Sequence, residues 1–116
     1  MLHNSPNKRA LIIGDIMRDH YVHGKAERIS PEAPVPVLLA KDVNVFPGGA
    51  ANVAICLAEL HETVCVLSTG DTKSPFLDDI TNKTNIEYKI LQAQSKKFID
   101  KIRYVSGSNH IVRIDW

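Results

Sequence analysis

Cysteine is scarce in this chain of 116 residues. Two are present, Cys56 and Cys65, each inside an apolar stretch (AICLAEL and TVCVLS). A disulfide framework needs more cysteines, and a metal pair needs closer spacing or further ligands. Both read as buried small hydrophobes, which points to a reducing, cytoplasmic setting. Charge of one sign is lacking too: 14 basic residues stand against 13 acidic ones, for a net charge of +1. No basic face is announced, so nucleic acid is not suggested; a small metabolite fits this balance. No apolar run approaches the roughly 20 residues that cross a bilayer. The start, MLHNSPNKRALIIGD, has too short an apolar run for a signal peptide. No membrane association is expected.

Several chemical signatures are missing as well. Without G-x-x-x-x-G-K-[ST] the chain is not a P-loop protein, and without G-x-G-x-x-G after the first strand dinucleotide binding is unsupported. Five histidines (His3, His20, His23, His61 and His110) form no H-x-x-x-H or E-x-x-H pair, so no metal site is expected. There is no G-x-S-x-G elbow.

What is present reads as α/β, with a length that suits one domain. Ala10–Ile13 is a short apolar run ending at Gly14-Asp15, the pattern of a buried strand in a parallel sheet. Residues 16–34 are mixed. Ser30–Pro36 holds three prolines and is extended or edge structure, since proline can neither sit inside a helix nor donate to a central strand. Val37–Val45 continues as a strand. Ala50–Leu60 is a helix with only Asn52 and Glu59 strongly polar, so packing on most of its circumference is expected. Thr63–Ser68 is a second buried strand, which makes a parallel crossover. Gly70-Asp71-Thr72 is a turn. Pro75–Asn82 is a short helix with Phe76, Leu77 and Ile80 on one face, and Ile86–Leu91 is a strand. Residues 98–116 form a hairpin around Ser106-Gly107-Ser108-Asn109. Few parallel strands and one long helix leave sheet faces uncovered, which implies further sequence or a partner chain.

Four places carry candidate chemistry. Asp15 ends the first strand, where ligands of open α/β sheets bind; its carboxylate suits sugar hydroxyls, and capping the turn accounts for it as well. Gly48 and Gly49 precede the helix, letting a ligand approach the backbone and free amides. Asn52 adds a donor and acceptors in the first turn. Lys101 and Arg103, two apart on a strand, share a face, with Arg113 on the next strand; such a cluster meets a phosphate or is simply a solvated face.

Taken in order, the blocks I-G-D-I-M-R-D-H-Y (13–21), R-I-S-P-E-A-P-V-P-V (28–37) and P-G-G-A-A-N-V-A (47–54), with Gly24, Lys101-Ile102-Arg103 and Val112-Arg113-Ile114-Asp115, resemble the N-terminus of the bacterial D-glycero-β-D-manno-heptose-7-phosphate kinases. These are ribokinase-like (PfkB) carbohydrate kinases that work towards ADP-heptose for lipopolysaccharide. The resemblance runs from about Ala10 to Asp115. It implies the N-terminal part of a ribokinase-like doubly wound sheet with a β-clasp lid at about residues 16–46, which often mediates dimerisation. It implies that Asp15 contacts sugar hydroxyls and that Gly48, Gly49 and Asn52 form the opposite wall. Asp19 and Arg28 then reach the substrate from near the lid, and Lys101 and Arg103 meet its phosphate.

The family uses ATP and Mg2+. Its catalytic Asp lies in a later G-A-G-D motif, which this chain does not contain, so the chain alone is expected to be inactive. Two blocks depart from the family pattern. His61-Glu62 replaces the usual glycine after the helix, and Lys97-Phe98 replaces Pro-Thr before the Lys-x-Arg strand.

Overall fold

A computed structural model describes residues 9–60, 63–93 and 97–116, with the backbone alone at Lys83. Among the described residues nine elements follow one another: β1 (Arg9–Ile13), β2 (Ile16–Ile29), β3 (Pro36–Gly49), α1 (Ala50–Glu59), β4 (Thr63–Gly70), α2 (Pro75–Lys83), β5 (Glu87–Gln92), β6 (Ile99–Ser106) and β7 (Asn109–Asp115). They make a three-stranded sheet, β1-β4-β5, and a four-stranded one, β3-β2-β6-β7. The described residues divide into two compact units, one from residues 9–17 and 47–98 and one from residues 18–46 and 99–116.

The first unit holds the parallel sheet. Arg9 pairs with Thr63 and Ile13 with Leu67; Cys65 pairs with Glu87 and Gly70 with Gln92. The strictly alternating burial of TVCVLSTG puts Val64, Val66 and Ser68 on the covered face of β4. Ala50, Ala51 and Ala54 of α1 and Ile80 of α2 cover that face, with Ile16, Ile86 and Phe98 completing the core. Three alanines let α1 lie close to the strands. Pro75 opens α2 at its first turn, where its missing N–H costs nothing. Phe76 and Leu77 pack against the core beside Ile80, as their spacing predicts. Phe98 is 4% exposed and meets Phe76 edge-on at 5.8 Å. The replacement at Lys97-Phe98 thus adds a core residue.

Two expectations need correction. The first strand is buried on one side only: Leu11 is 61% and Ile13 72% exposed. Likewise α1 is not packed all round, since Val53 is 50% exposed. The first follows from strand order. The crossovers β1–α1–β4 and β4–α2–β5 proceed in one direction across the sheet, and right-handed crossovers then place both helices on the same face. Among the described residues no helix covers the other face. The cysteines are corrected with it, because Cys56 is exposed on α1 and Cys65 is only half-buried.

The second unit is built on antiparallel pairing. β6 and β7 form the expected hairpin, Lys101 opposite Asp115 and Arg103 opposite Arg113, with a register shift at Tyr104/Val105. Gly107 turns the hairpin with φ +61°. The proline segment is neither strand nor helix; it links β2 to β3 through a Ser30 N–H to Val35 carbonyl bond of 2.8 Å. The sequence placed a strand at Val37–Val45; β3 is longer at both ends.

Candidate functional site

The first unit gathers four of the predicted residues around the end of β1. Gly14 donates its N–H to the Leu67 carbonyl (3.2 Å), which fixes the carboxyl end of β1 beside β4. Asp15 follows, exposed, and its carbonyl accepts the N–H of Ala50 (2.9 Å), the first residue of α1. That bond brings the start of α1 to Asp15. Gly48 is buried behind it. Gly49 sits at φ 59°, ψ −131°, a combination that glycine adopts far more readily than any L-residue. A Cβ there would strike the Asp15 carbonyl and stand 3.2 Å from Met17 Cγ. The second glycine is therefore required by backbone conformation and close packing, whatever else approaches it. Asn52 is exposed in the first turn of α1. Among the described residues no side chain caps this helix and its first turn has no acidic residue, so beyond the Ala50 N–H, which Asp15 takes, the first-turn amides keep their donor capacity.

Beside Asp15 the carboxyl ends of β1, β4 and β5 line a cleft of about 230 Å³ with Ile13, Gly14, Asp15, Leu67, Ser68, Thr69 and Leu91. Ser68 Oγ is committed to the structure, accepting the buried Ile16 N–H at 3.3 Å. The cleft is mostly apolar, with a carboxylate and a threonine hydroxyl at its polar side. A sugar ring, with apolar C–H surfaces and hydroxyls on its edges, matches such a lining.

The second unit holds the other four. Arg103 Nη1 donates to Asp19 Oδ1 at 2.9 Å, both side chains partly buried. That carboxylate holds the Arg103 pKa above its ordinary value. The guanidinium also lies over the Tyr21 ring, 5.1 Å from its centroid, a cation–π contact. Phe46 meets Tyr21 edge-on at 5.9 Å. Lys101 shares this face and makes no ion pair among the described residues. Arg28 stands exposed at the end of β2, and the structure brings it to none of the other seven. His61 and Glu62 lie outside the described residues.

One cluster escaped sequence reasoning. Asp100 of β6 accepts hydrogen bonds from Arg18 Nη2 and pairs with His20 Nε2 at 2.6 Å, both from β2. Burial raises the Asp100 pKa, but the bonds and charges of Arg18 and His20 outweigh that, and the net displacement is downward. Residues 18 and 20 alternate as a strand face should, yet nothing in the sequence says that β6, about 80 positions away, is the neighbour. Among the described residues no group of three or more His, Cys, Asp or Glu could hold a metal ion.

This architecture is that of the ribokinase-like carbohydrate kinases. A carbohydrate kinase from Agrobacterium tumefaciens matches 94% of the chain with a TM-score of 0.73 at 16% identity, the match spanning 35% of that protein. Arabidopsis thaliana ribokinase, solved with ribose and ATP, matches 91% with a TM-score of 0.69 at 14% identity, spanning 35% of that protein. At these identities the likeness is one of fold. In sequence the chain belongs to the HldE family, as the counterpart of its N-terminal region. It is 38% identical over its whole length to the bifunctional protein HldE of Actinobacillus pleuropneumoniae serotype 5b and 37% identical to that of Hyphomonas neptunium over 99% of its length. It spans about a quarter of each of those relatives, 26% and 24%. No protein-family profile matches the chain.

Proposed function

We propose that this chain is the sugar-binding part of a kinase that phosphorylates heptose 7-phosphate on the way to ADP-heptose. The observation that carries the reading is the convergence of Asp15, Gly48, Gly49 and Asn52 at the end of β1 and the start of α1, tied by the Asp15–Ala50 bond. In this reading Asp15 accepts hydrogen bonds from two ring hydroxyls. Asn52 and the leading amides of α1 hold the other side of the ring, and Gly48 and Gly49 let it approach the backbone. Lys101 and Arg103 take the 7-phosphate, while Asp19 and Arg28 reach the substrate from the lid segment at about residues 16–46.

ATP and Mg2+ belong to the reaction of the complete kinase. The residues of this chain do not fit them: the cleft lining has no cation for a triphosphate and the described residues offer no metal-holding group. What the chain contributes is positioning, a large share of the work in phosphoryl transfer, and alone it is inactive. It is a cytoplasmic protein in this reading.

Calorimetric titration with D-glycero-β-D-manno-heptose 7-phosphate tests the reading, with Asp15→Asn as the control. Binding that falls at least tenfold in the variant is expected. Unchanged binding in Asp15→Asn, or none by a wild-type chain shown to be folded, overturns it.

A second reading, a dimerisation module, rests on the exposed Leu39 (59%), Val43 (59%) and Phe46 (53%) of β3. It predicts a homodimer through the four-stranded sheet. Light scattering decides: a monomer at micromolar concentration removes it.

A further inference from the structure

The parallel sheet β1-β4-β5 is graded along the face that no described helix covers. At the amino ends of its strands that face is polar, with Arg9, Thr63 and Glu87. At the carboxyl ends it is apolar, with Ile13, Leu67 and Leu91. Ile13 is the register partner of Leu67, and Leu91 lies one row further on, opposite Thr69. Neighbouring strands stand about 4.8 Å apart, so the three side chains make one continuous surface. Ile13 is 72% and Leu91 58% exposed on it. Lys89 is opposite Leu67 but reaches to Glu87 at 3.4 Å and does not line the cleft.

A covering layer of structure calls for apolar residues along the whole strand. Here β5 places an ion pair at two of its three outward positions and turns apolar only at Leu91. A ligand held at the strand ends calls for apolar surface there alone. Asp15 and Thr69 give the same cleft of about 230 Å³ its polar side. Together they suit a ring with one face of bare C–H groups and hydroxyls around its edge. In a β-manno pyranose the hydrogens on carbons 1, 3 and 5 are axial on one face, which therefore carries no hydroxyl. An axial hydroxyl on that face would be pressed against three aliphatic side chains that offer it no partner.

We propose that Ile13, Leu67 and Leu91 form a floor that seats the hydroxyl-free face of a six-membered ring, and that Leu91 determines which ring epimers are admitted. The proposal rests on the sugar-kinase reading above and deepens it. Asp15 takes hydroxyls at the edge of the ring, and the floor selects the face that the ring turns to the sheet.

The test titrates the full chain with heptose 7-phosphate and with its C3 epimer, whose third hydroxyl is axial on that face. Wild type should bind the epimer at least tenfold more weakly. Leu91→Ser removes apolar contact and supplies a hydroxyl. It should weaken heptose 7-phosphate about fivefold and narrow the preference over the epimer to about threefold or less. Leu91→Met, apolar and of similar volume, should recover most of both. Unfolding temperatures confirm that the variants fold. Asp15→Asn should weaken the two sugars in parallel and keep the preference. No preference in wild type, or an unchanged one in Leu91→Ser, overturns the floor and leaves the kinase reading standing on Asp15. If wild type binds neither sugar, the kinase reading fails on its own, and cyclohexanol followed by methyl NMR decides the floor. Shifts of the Ile13 and Leu67 methyl signals that vanish in Leu91→Ser support it; absent shifts, or equal ones in the variant, overturn it.

Discussion

Replacing Gly49 by alanine probes the joint on which the candidate site depends. Two costs add. The backbone at φ 59°, ψ −131° is unfavourable for an L-residue, which costs roughly 1–3 kcal/mol. The new methyl group would also meet the Asp15 carbonyl, the acceptor of the Ala50 N–H; displacing that oxygen forfeits a bond worth about 1 kcal/mol net. The sum is about 2–4 kcal/mol, or a fall in Tm of roughly 10–15 °C for a domain of this size. Gly107→Ala supplies the control, because its φ is +61° but nothing lies within 4 Å of an added Cβ. It should show the cost of a positive φ without a steric contact, so that Gly49→Ala exceeds it by at least about 1 kcal/mol. Urea unfolding of the three proteins measures both differences. The reasoning is refuted if Gly49→Ala falls within about 0.5 kcal/mol of wild type, the range of an unremarkable surface change. It is refuted in part if the two variants are equally destabilised, since the Asp15–Ala50 link would then contribute nothing.

Other consequences can be measured on the same protein. The folded pKa of Asp100 is lowered, so its stabilisation is fully present above the unfolded value near 3.9 and fades as pH falls through the lower folded value. Denaturation followed between pH 6 and 2 should show wild type losing an increment of stability below about pH 4, and Asp100→Asn should lack that increment while starting about 1–3 kcal/mol less stable at pH 7. Tyr21→Leu removes the ring under Arg103 and should cost about 0.5–1 kcal/mol beyond lost packing, read by a double-mutant cycle with Arg103→Gln; a coupling of zero would deny the contact. Val66, fully buried, and Ile13, 72% exposed, test the one-sided burial of the parallel sheet. Val66→Ala should cost about 2 kcal/mol, and Ile13→Ser should stay within about 0.5 kcal/mol; equal costs would mean that the bare face is covered in solution.

Much of the secondary structure was legible because the local rules agree with the fold. The alternation in TVCVLSTG, the Pro75 start of α2 and the Ser-Gly turn of the last hairpin each act within a few residues, and each element formed where its pattern lay. The four residues around β1 and α1 were legible for the same reason. Asp15, Gly48, Gly49 and Asn52 occupy a strand end and a helix start, positions that sequence can mark.

Burial was less legible. Leu11, Ile13, Cys56 and Cys65 look like core residues, but hydrophobicity tells only that a side chain would gain from cover. Whether cover exists depends on which face the crossover helices choose, and that is settled by strand order. The polar network was the least legible part. Arg18, His20 and Asp100 are ordinary surface residues in sequence, and only the neighbouring of β2 and β6 makes them a partly buried ion cluster.

By itself, then, the sequence determined most of the elements, though not the long strand β2, which it read as mixed, together with the glycine-bearing joint at Asp15 and the relationship to the HldE proteins, because each depends on short-range patterns. The tertiary structure decided which face of the parallel sheet is covered, that Arg103 answers to Asp19 and Tyr21, and that Arg113 stands opposite Arg103. Those are long-range pairings, set by strand order and register, and no local pattern encodes them.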